Sequence, residues 1–222
     1  AAESGCGAIV AFGGGSALDA AKAVALLLAN PGNSVSDLED ATHTSTHIKP
    51  RTMPLVAVPT TAGTGSEATT VTVITDSVRH IKRLLVHESL MPDLAIIDAC
   101  LMLGVPQNVT AATGMDALAH AIEAYVATGA TSMTQALAYR AISLIGEALP
   151  IVVGNGNDVA ARESMALASY MAGIAFSNAG LGLCHAMSHQ IGAAYGVPHG
   201  VANAIMLPSV MHYNQLVCKK RY

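Results

Sequence analysis

Ala8-Ile9-Val10-Ala11-Phe12-Gly13-Gly14-Gly15-Ser16 sets the reading of the first half of the chain. The apolar run Ala8 to Phe12 reads as a buried strand, the glycines as a turn, and Ala17 to Leu28 as a helix. Glycines let a backbone approach a ligand closely, and a helix start offers free N–H groups to an anion. Ser16 is placed to cap that helix and also to reach a phosphate. Taken alone, the pattern equally describes a plain tight turn. Asp19 and Lys22, one turn further in, equally describe a solvated i,i+3 pair.

Two more apolar runs follow, Leu55 to Val58 and Leu94 to Ile97. Continuous rather than alternating apolar strands, separated by helices, predict a parallel sheet covered on both faces. Val71 to Thr75 and Arg83 to His87 read as an antiparallel hairpin with Asp76-Ser77 near its turn. Pro59-Thr60-Thr61-Ala62-Gly63-Thr64-Gly65-Ser66-Glu67 is a second loop after a buried strand. Its small hydroxyl and glycine residues supply donors with little bulk, as a dinucleotide's phosphates and ribose require; a Thr-rich capping loop is the alternative. Two such loops at the carboxyl ends of parallel strands point to the crevice where α/β sheets bind nucleotides. The G-x-G-x-x-G fingerprint is absent.

After Pro106 the pattern changes. Gly114 to Ala127, Met133 to Leu149, Asp158 to Phe176 and Leu181 to Ala194 all read as Ala/Leu/Met-rich helices. Pro106 and Pro150 serve as helix punctuation, residues 154–157 as a loop, and Ala41 to His47 as an exposed loop. We expect an α/β nucleotide-binding domain with a truncated parallel sheet over residues 1–104, then an all-α metal-binding domain over 105–222. An opening without Met that runs at once into a strand, and a close at Arg221-Tyr222, lead us to expect a fragment incomplete at both ends.

Composition narrows the function. The chain has 222 residues, 52% hydrophobic and 12% charged, with a net charge of −4. A nucleic-acid binder would show a basic face, whereas the one basic run is Lys219-Lys220-Arg221. Clean apolar runs such as Ala23 to Ala29 fall short of the roughly 20 residues of a membrane helix. Neither nucleic acid nor membrane is expected as a partner. The four cysteines (Cys6, Cys100, Cys184 and Cys218) form no C-x-x-C pair. With no signal peptide, a reducing cytoplasm is the expected compartment.

The helical half carries the chemistry. Asp116 and His120 lie at i and i+4, on one helical face, and His185 and His189 repeat that spacing. His199 follows in Gly196-Val197-Pro198-His199-Gly200, a turn entering another helix. Three imidazoles and one carboxylate from this set can hold Fe²⁺ or Zn²⁺ and leave a position for substrate. Each pair alone also fits a structural role. Their coincidence within apolar helices, where unpaired Asp and His are costly to bury, favours a site. His43 and His47 share the spacing in a polar loop and receive no role; His80, His87 and His212 read as incidental. Cys184 reads as a small core residue or as a thiol that tunes the site.

Gly13 to Lys22 (G-G-G-S-x-x-D-x-A-K), Pro59 to Glu67, Gly114 to Tyr125 (G-M-D-A-L-x-H-A-I-E-A-Y) and G-L-G-L-C-H-A-M-x-H with P-H-G together resemble the iron-containing alcohol dehydrogenases, along essentially the whole chain. General similarity, including Arg162 to Met165, is greatest to the ethanolamine-utilisation type, which reduces acetaldehyde to ethanol. The resemblance implies a dehydroquinate synthase-like fold, with Asp116, His120, His185 and His199 as metal ligands. It makes His189 a catalytic candidate for proton relay. Gly14, Gly15, Ser16 and Asp19 would line the pyrophosphate and nicotinamide side of NAD, and Thr60, Thr61 and Thr64 its phosphates, adenine and ribose. Lys82 would reach a nicotinamide ribose. The implied metal is Fe²⁺, with Zn²⁺ as the alternative; the implied partners are a small alcohol or aldehyde, a second copy in a homodimer, and a bacterial microcompartment. Members carry an N-terminal βαβ segment, with an acidic residue that reads the adenosine ribose, and further C-terminal helices. With both missing here, NAD and NADP are not distinguished. Glycerol or diol dehydrogenase and dehydroquinate synthase share the plan and stand as alternatives, as does a non-catalytic fragment of a bifunctional aldehyde–alcohol dehydrogenase.

Overall fold

The computed structural model of the chain describes residues 5–44, 48–79, 81–218 and 221–222. The side chain of His43, together with His47, His80 and Lys219-Lys220, lies outside that description. The chain forms two compact units, one of residues 1–60 and 66–97, the other of residues 61–65 and 98–222.

In the first unit, β1 (Ile9–Gly13), β2 (Leu55–Pro59) and β5 (Leu94–Ala95) form a parallel sheet in the order β1-β2-β5, with Ile9 opposite Leu55 and Val56 opposite Leu94. Helix α1 (Gly15–Ala29) packs Leu18 on Ala11, Leu55 and Ala57. Successive strand side chains point to opposite faces. Val10 and Phe12, on the other face, are 65% and 61% exposed. Among the described residues, the face of β1 that carries Val10 and Phe12 is uncovered, while on the other Ala11 is buried and Ile9 half-buried.

The predicted hairpin is β3 (Val71–Asp76) with β4 (Ile81–Val86), Val71 opposite Val86. Asp76 closes its turn by accepting from the backbone N–H groups of Val78 and Arg79. Helix α2 (Val35–Thr44) extends through residues expected to be loop, and Leu38 buries against Leu26, Leu85 and Leu90. Lys22 is no solvated partner of Asp19. It is 1% exposed and donates to the carbonyls of Thr69 and Val71 and to the Thr69 hydroxyl, so it ties α1 to the start of β3. Burial pushes its pKa down to about 8 against the pull of Asp19 and Glu67.

The second unit is built on α3 (Gln107–Val126), α4 (Ser132–Gly154) and α5 (Val159–Ala179), with α6 (Leu183–Tyr195) and α7 (His199–Cys218) completing it. Pro106 is the N-cap of α3, as its fixed φ allows. Pro150 does not punctuate: α4 runs through it to Gly154. The core of α3, α4 and α5 is Ala117, Ala121, Ala141, Leu144, Ile145, Ala148, Ala168 and Ala172 with Met165 and Val152. Alanine at so many contacts lets the backbones approach closely, which shows at the glycines. A Cβ on Gly200 would collide with the Ala112 carbonyl of α3, and one on Gly114 with the Leu149 side chain. Among the described residues, α4 is the one helix long and apolar enough by itself to span a bilayer, yet it carries Arg140 and Glu147 and contributes six residues to buried clusters.

These contacts predict opposite outcomes for two glycine substitutions. Gly200→Ala, facing a backbone carbonyl that cannot rotate away, should lose about 1–3 kcal/mol or more. Gly146→Ala, inside α4 with open space around it, should gain about 0.5–1 kcal/mol. Urea denaturation midpoints at unchanged m-value give the comparison.

Candidate metal centre

Helix α3 delivers Asp116 and His120 from one face, and its buried stripe continues to Glu123. The chain turns at Gly180 (φ 87°), and α6 sets off at 105° to α5, bringing His185 and His189. Gly196, left-handed at φ 67°, ends α6, and His199 is the first residue of α7.

These elements converge on the Asp116 carboxylate, which is 2% exposed. Its Oδ1 lies 3.4 Å from His199 Nε2, 3.5 Å from His185 Nε2 and 4.0 Å from His120 Nε2. An ion with four ligands at about 2.1 Å sets those ligands roughly 3.4 Å apart. Ligand atoms of Asp116, His120 and His185 all lie within 4.8 Å of one another. The donor set fits a divalent ion of the Fe²⁺ or Zn²⁺ kind. His120 stacks between Phe176 and His185, ring centroids 4.4 and 4.3 Å away. His189 is half-buried, tilted against His199 at 4.9 Å and edge-on to His185 at 6.1 Å.

The electrostatics differ from group to group. Burial would raise the Asp116 pKa, but His120, His185 and His199 outweigh it and hold the carboxyl well below the usual range. Burial drives His120 down to about 3 despite Asp116, leaving a neutral imidazole with a lone pair to offer. Burial also works against the charge on His185, yet its hydrogen bonds to Asp116 and Glu123 prevail and raise it to about 9. Cys184 is fully buried with Ala119, Leu207 and Val210, and burial pushes its thiol up to about 12. It is a core residue, not a reactive thiolate.

Two polar residues of this centre carry no role in the sequence reading. Glu123 accepts from the Cys184 N–H at 2.7 Å and lies 2.5 Å from His185 Nδ1. Asn203, 0% exposed, donates from Nδ2 to Asp116 Oδ1 at 2.7 Å, with His185 Nε2 and His199 Nε2 at 3.1 and 3.3 Å. Their signal was present: Glu123 stands three residues after His120 and Asn203 four after His199, each polar in an apolar helical run.

The residues proposed for cofactor are placed as follows. Gly14 is the N-cap of α1 without a side-chain bond, so Ser16, exposed, does not cap the helix as expected. The Thr60 N–H donates to the Gly13 carbonyl. Asp19 accepts from the Ser66 hydroxyl and the Val73 N–H, and Lys82 is near enough to pull its pKa down against the larger effect of burial. Thr61 and Thr64 belong to the helical unit. The glycines between and after them serve packing there. A Cβ on Gly63 would stand 2.6 Å from that of Thr113, and one on Gly65 (φ 62°) 2.7 Å from the Gly173 Cα.

A parallel three-stranded sheet with a glycine-started helix in one unit, and in the other a set of helices that gathers imidazoles around one buried carboxylate, define a metal-centre protein of the α/β-plus-helical kind. Family models match both parts: "Iron-containing alcohol dehydrogenase" over residues 1–99 and "Fe-containing alcohol dehydrogenase family, C-terminal" over residues 110–222. The chain belongs to the iron-containing alcohol dehydrogenase family. It is 60% identical over 220 residues to the probable alcohol dehydrogenase EutG of Escherichia coli, covering 99% of this chain and 54% of that protein. Identity to the NAD-dependent methanol dehydrogenase of Bacillus methanolicus is 49%, covering 99% and 56%. The crystal structure of sulfoacetaldehyde reductase from Bifidobacterium kashiwanohense in complex with NAD⁺ superposes with a TM-score of 0.86 at 37% identity, over 94% of this chain and 55% of that one. The chain spans about half the length of the curated relatives it matches.

The raised pKa of His185 gives a pH test. Its folded value of about 9 exceeds the ordinary 6.5, so charged His185 favours the fold fully below pH 6.5, and that contribution is lost as pH rises through 9. In protein stripped of metal by a chelator, the difference in thermal midpoint between wild type and His185→Gln should narrow from pH 6.5 to pH 9.5. A constant difference across that range contradicts the assignment.

Proposed function

We propose that the protein containing this chain is a metal-dependent dehydrogenase that interconverts a short-chain primary alcohol and its aldehyde with NAD(H), ethanol and acetaldehyde being the preferred pair. The observation that carries the reading is the approach of three imidazoles to one buried carboxylate oxygen. Asp116, His120, His185 and His199 would hold the ion. When bound, the metal polarises the substrate oxygen and the nicotinamide supplies or takes the hydride.

The chain's own residues do the rest. Asp116 would contribute negative charge to hold a divalent ion among buried helices. Phe176 and His185 hold the His120 ring between them and restrict water on both of its faces. His189, half-buried beside His199, would pass a proton to or from the alcohol oxygen. The N-terminus of α1 at Gly14, Gly15 and Ser16, with Asp19, would line the pyrophosphate and nicotinamide side of the cofactor, and Lys82 would reach the nicotinamide ribose.

The relatives' names support an alcohol or aldehyde as substrate and NAD as cofactor, and they differ in the substrate named. Acetaldehyde and a microcompartment location rest on the resemblance to the ethanolamine-utilisation type, a homodimer on the resemblance to the family, and a cytoplasmic location on the cysteine pattern. Iron is preferred over zinc on the family's name alone.

Anaerobic metal analysis of the intact protein, beside His199→Ala, tests the centre. We expect near one divalent ion per chain, lost in the variant, with NADH-dependent acetaldehyde reduction falling by more than the ~10–100-fold that loss of an outer-sphere partner costs. Unchanged metal content removes His199 from the ligand set. Faster turnover of glycerol or 1,2-propanediol than of ethanol replaces the substrate class with the polyols.

A further inference from the structure

We infer that Glu123 is a positioning residue of the centre: its carboxylate fixes the tautomer and ring orientation of His185, and Gly182 is the opening that admits it. The inference rests on the metal reading of Asp116, His120, His185 and His199. Glu123 is 3% exposed and lies one turn beyond His120 on α3, and both its oxygens are committed to the first turn of α6. Oε1 accepts from the Cys184 N–H at 2.7 Å; Oε2 accepts from the His185 N–H at 3.3 Å and faces His185 Nδ1 at 2.5 Å.

A carboxylate engaged by backbone donors can only accept. Nδ1 of His185 therefore carries the proton and donates it to Glu123. In the neutral ring that a metal would bind, the lone pair is then left on Nε2, the atom that faces Asp116 Oδ1 at 3.5 Å. Imidazole ligands in metal sites are generally held in this way by a second hydrogen bond, which also makes the ring more basic.

The surroundings of the carboxylate are shaped for it. Helix α6 has no side-chain cap of its own: its N-cap is Gly182. A Cβ at position 182 would lie 2.8 Å from Glu123 Oε1 and 3.4 Å from Cδ. A residue from α3 thus does the capping that Ser, Thr or Asp would do locally, and its second oxygen remains for the histidine.

An amide cannot replace it. If the oxygen of Glu123→Gln stays on the Cys184 N–H, its NH₂ faces Nδ1, the ring proton moves to Nε2 and the lone pair is lost to the centre. If the oxygen turns to Nδ1 instead, the NH₂ meets the Cys184 N–H donor-to-donor. Gly182→Ala should reproduce part of the defect without touching the carboxylate, by displacing Oε1.

The test uses the intact protein with Zn²⁺ as probe. Zn²⁺ affinity, by competition with a chromophoric chelator, should fall about 10–100-fold in Glu123→Gln, with a smaller fall in Gly182→Ala. Glu123→Asp should recover part of it. In the wild type, imidazole ¹⁵N chemical shifts should show His185 protonated at Nδ1 and bound through Nε2, a readout that needs no variant to fold. Wild-type Zn²⁺ affinity in Glu123→Gln, or a proton on His185 Nε2 in the Zn²⁺-loaded wild type, overturns the inference. Failure of the wild type to bind one Zn²⁺ overturns the metal reading first and this one with it; normal Zn²⁺ binding lost in His185→Ala but kept in Glu123→Gln overturns this one alone.

Discussion

A carboxylate buried in an alanine-lined helical bundle is the constraint around which the second unit is organised. Asp116 sits on α3, a helix whose Ala117, Ala119, Ala121 and Ala124 are each fully buried. An unpaired charge in such surroundings costs several kcal/mol. It is tolerated because α6 and α7 bring His185, His199 and Asn203 against the same oxygen. That convergence demands close backbones. The small residues at the contacts follow from it: the alanines of α3, Gly200 against the Ala112 carbonyl, and Gly114 against Leu149.

Within this one cluster, chemically identical imidazoles are given different characters. His120 is stacked between two rings, and burial decides its protonation. His185 lies between two carboxylates, which outweigh the same burial. The distinction is not a property of either residue's sequence neighbourhood, since both stand in apolar helices. It comes from which side chains the fold places across from them, and it sets how strongly protons compete with a cation at each nitrogen.

The two glycine-rich loops also divide by cause. Gly14 caps α1 without a side-chain bond, which an anion site there would need. Gly63 and Gly65, in the Thr-rich loop, are accounted for by contact with Thr113 of α3 and with Ser169 and Gly173 of α5. A glycine proposed to admit a ligand and one that admits a neighbouring helix look alike in a sequence, because both need only the absence of a Cβ.

The strand–glycine–helix order, the hairpin and the run of helices were legible in the sequence because they depend on local periodicity and turn chemistry. So were Asp116 with His120 and His185 with His189, because a spacing of four residues places two side chains on one helical face whatever surrounds them. Local rules left open or missed what burial decided: Lys22 reads as readily as a solvated partner of Asp19 and is buried, and Pro150 reads as a stop inside a helix that continues. Glu123 and Asn203 stayed unread for the same reason. Glu123 meets a histidine 62 residues further along the chain, and Asn203 an aspartate 87 residues before it. The sequence by itself determined which residue types are available to a metal and on which helices they stand. Only the tertiary structure decided that His185 faces a second carboxylate, Glu123, across from Asp116, because those partners are brought together by packing.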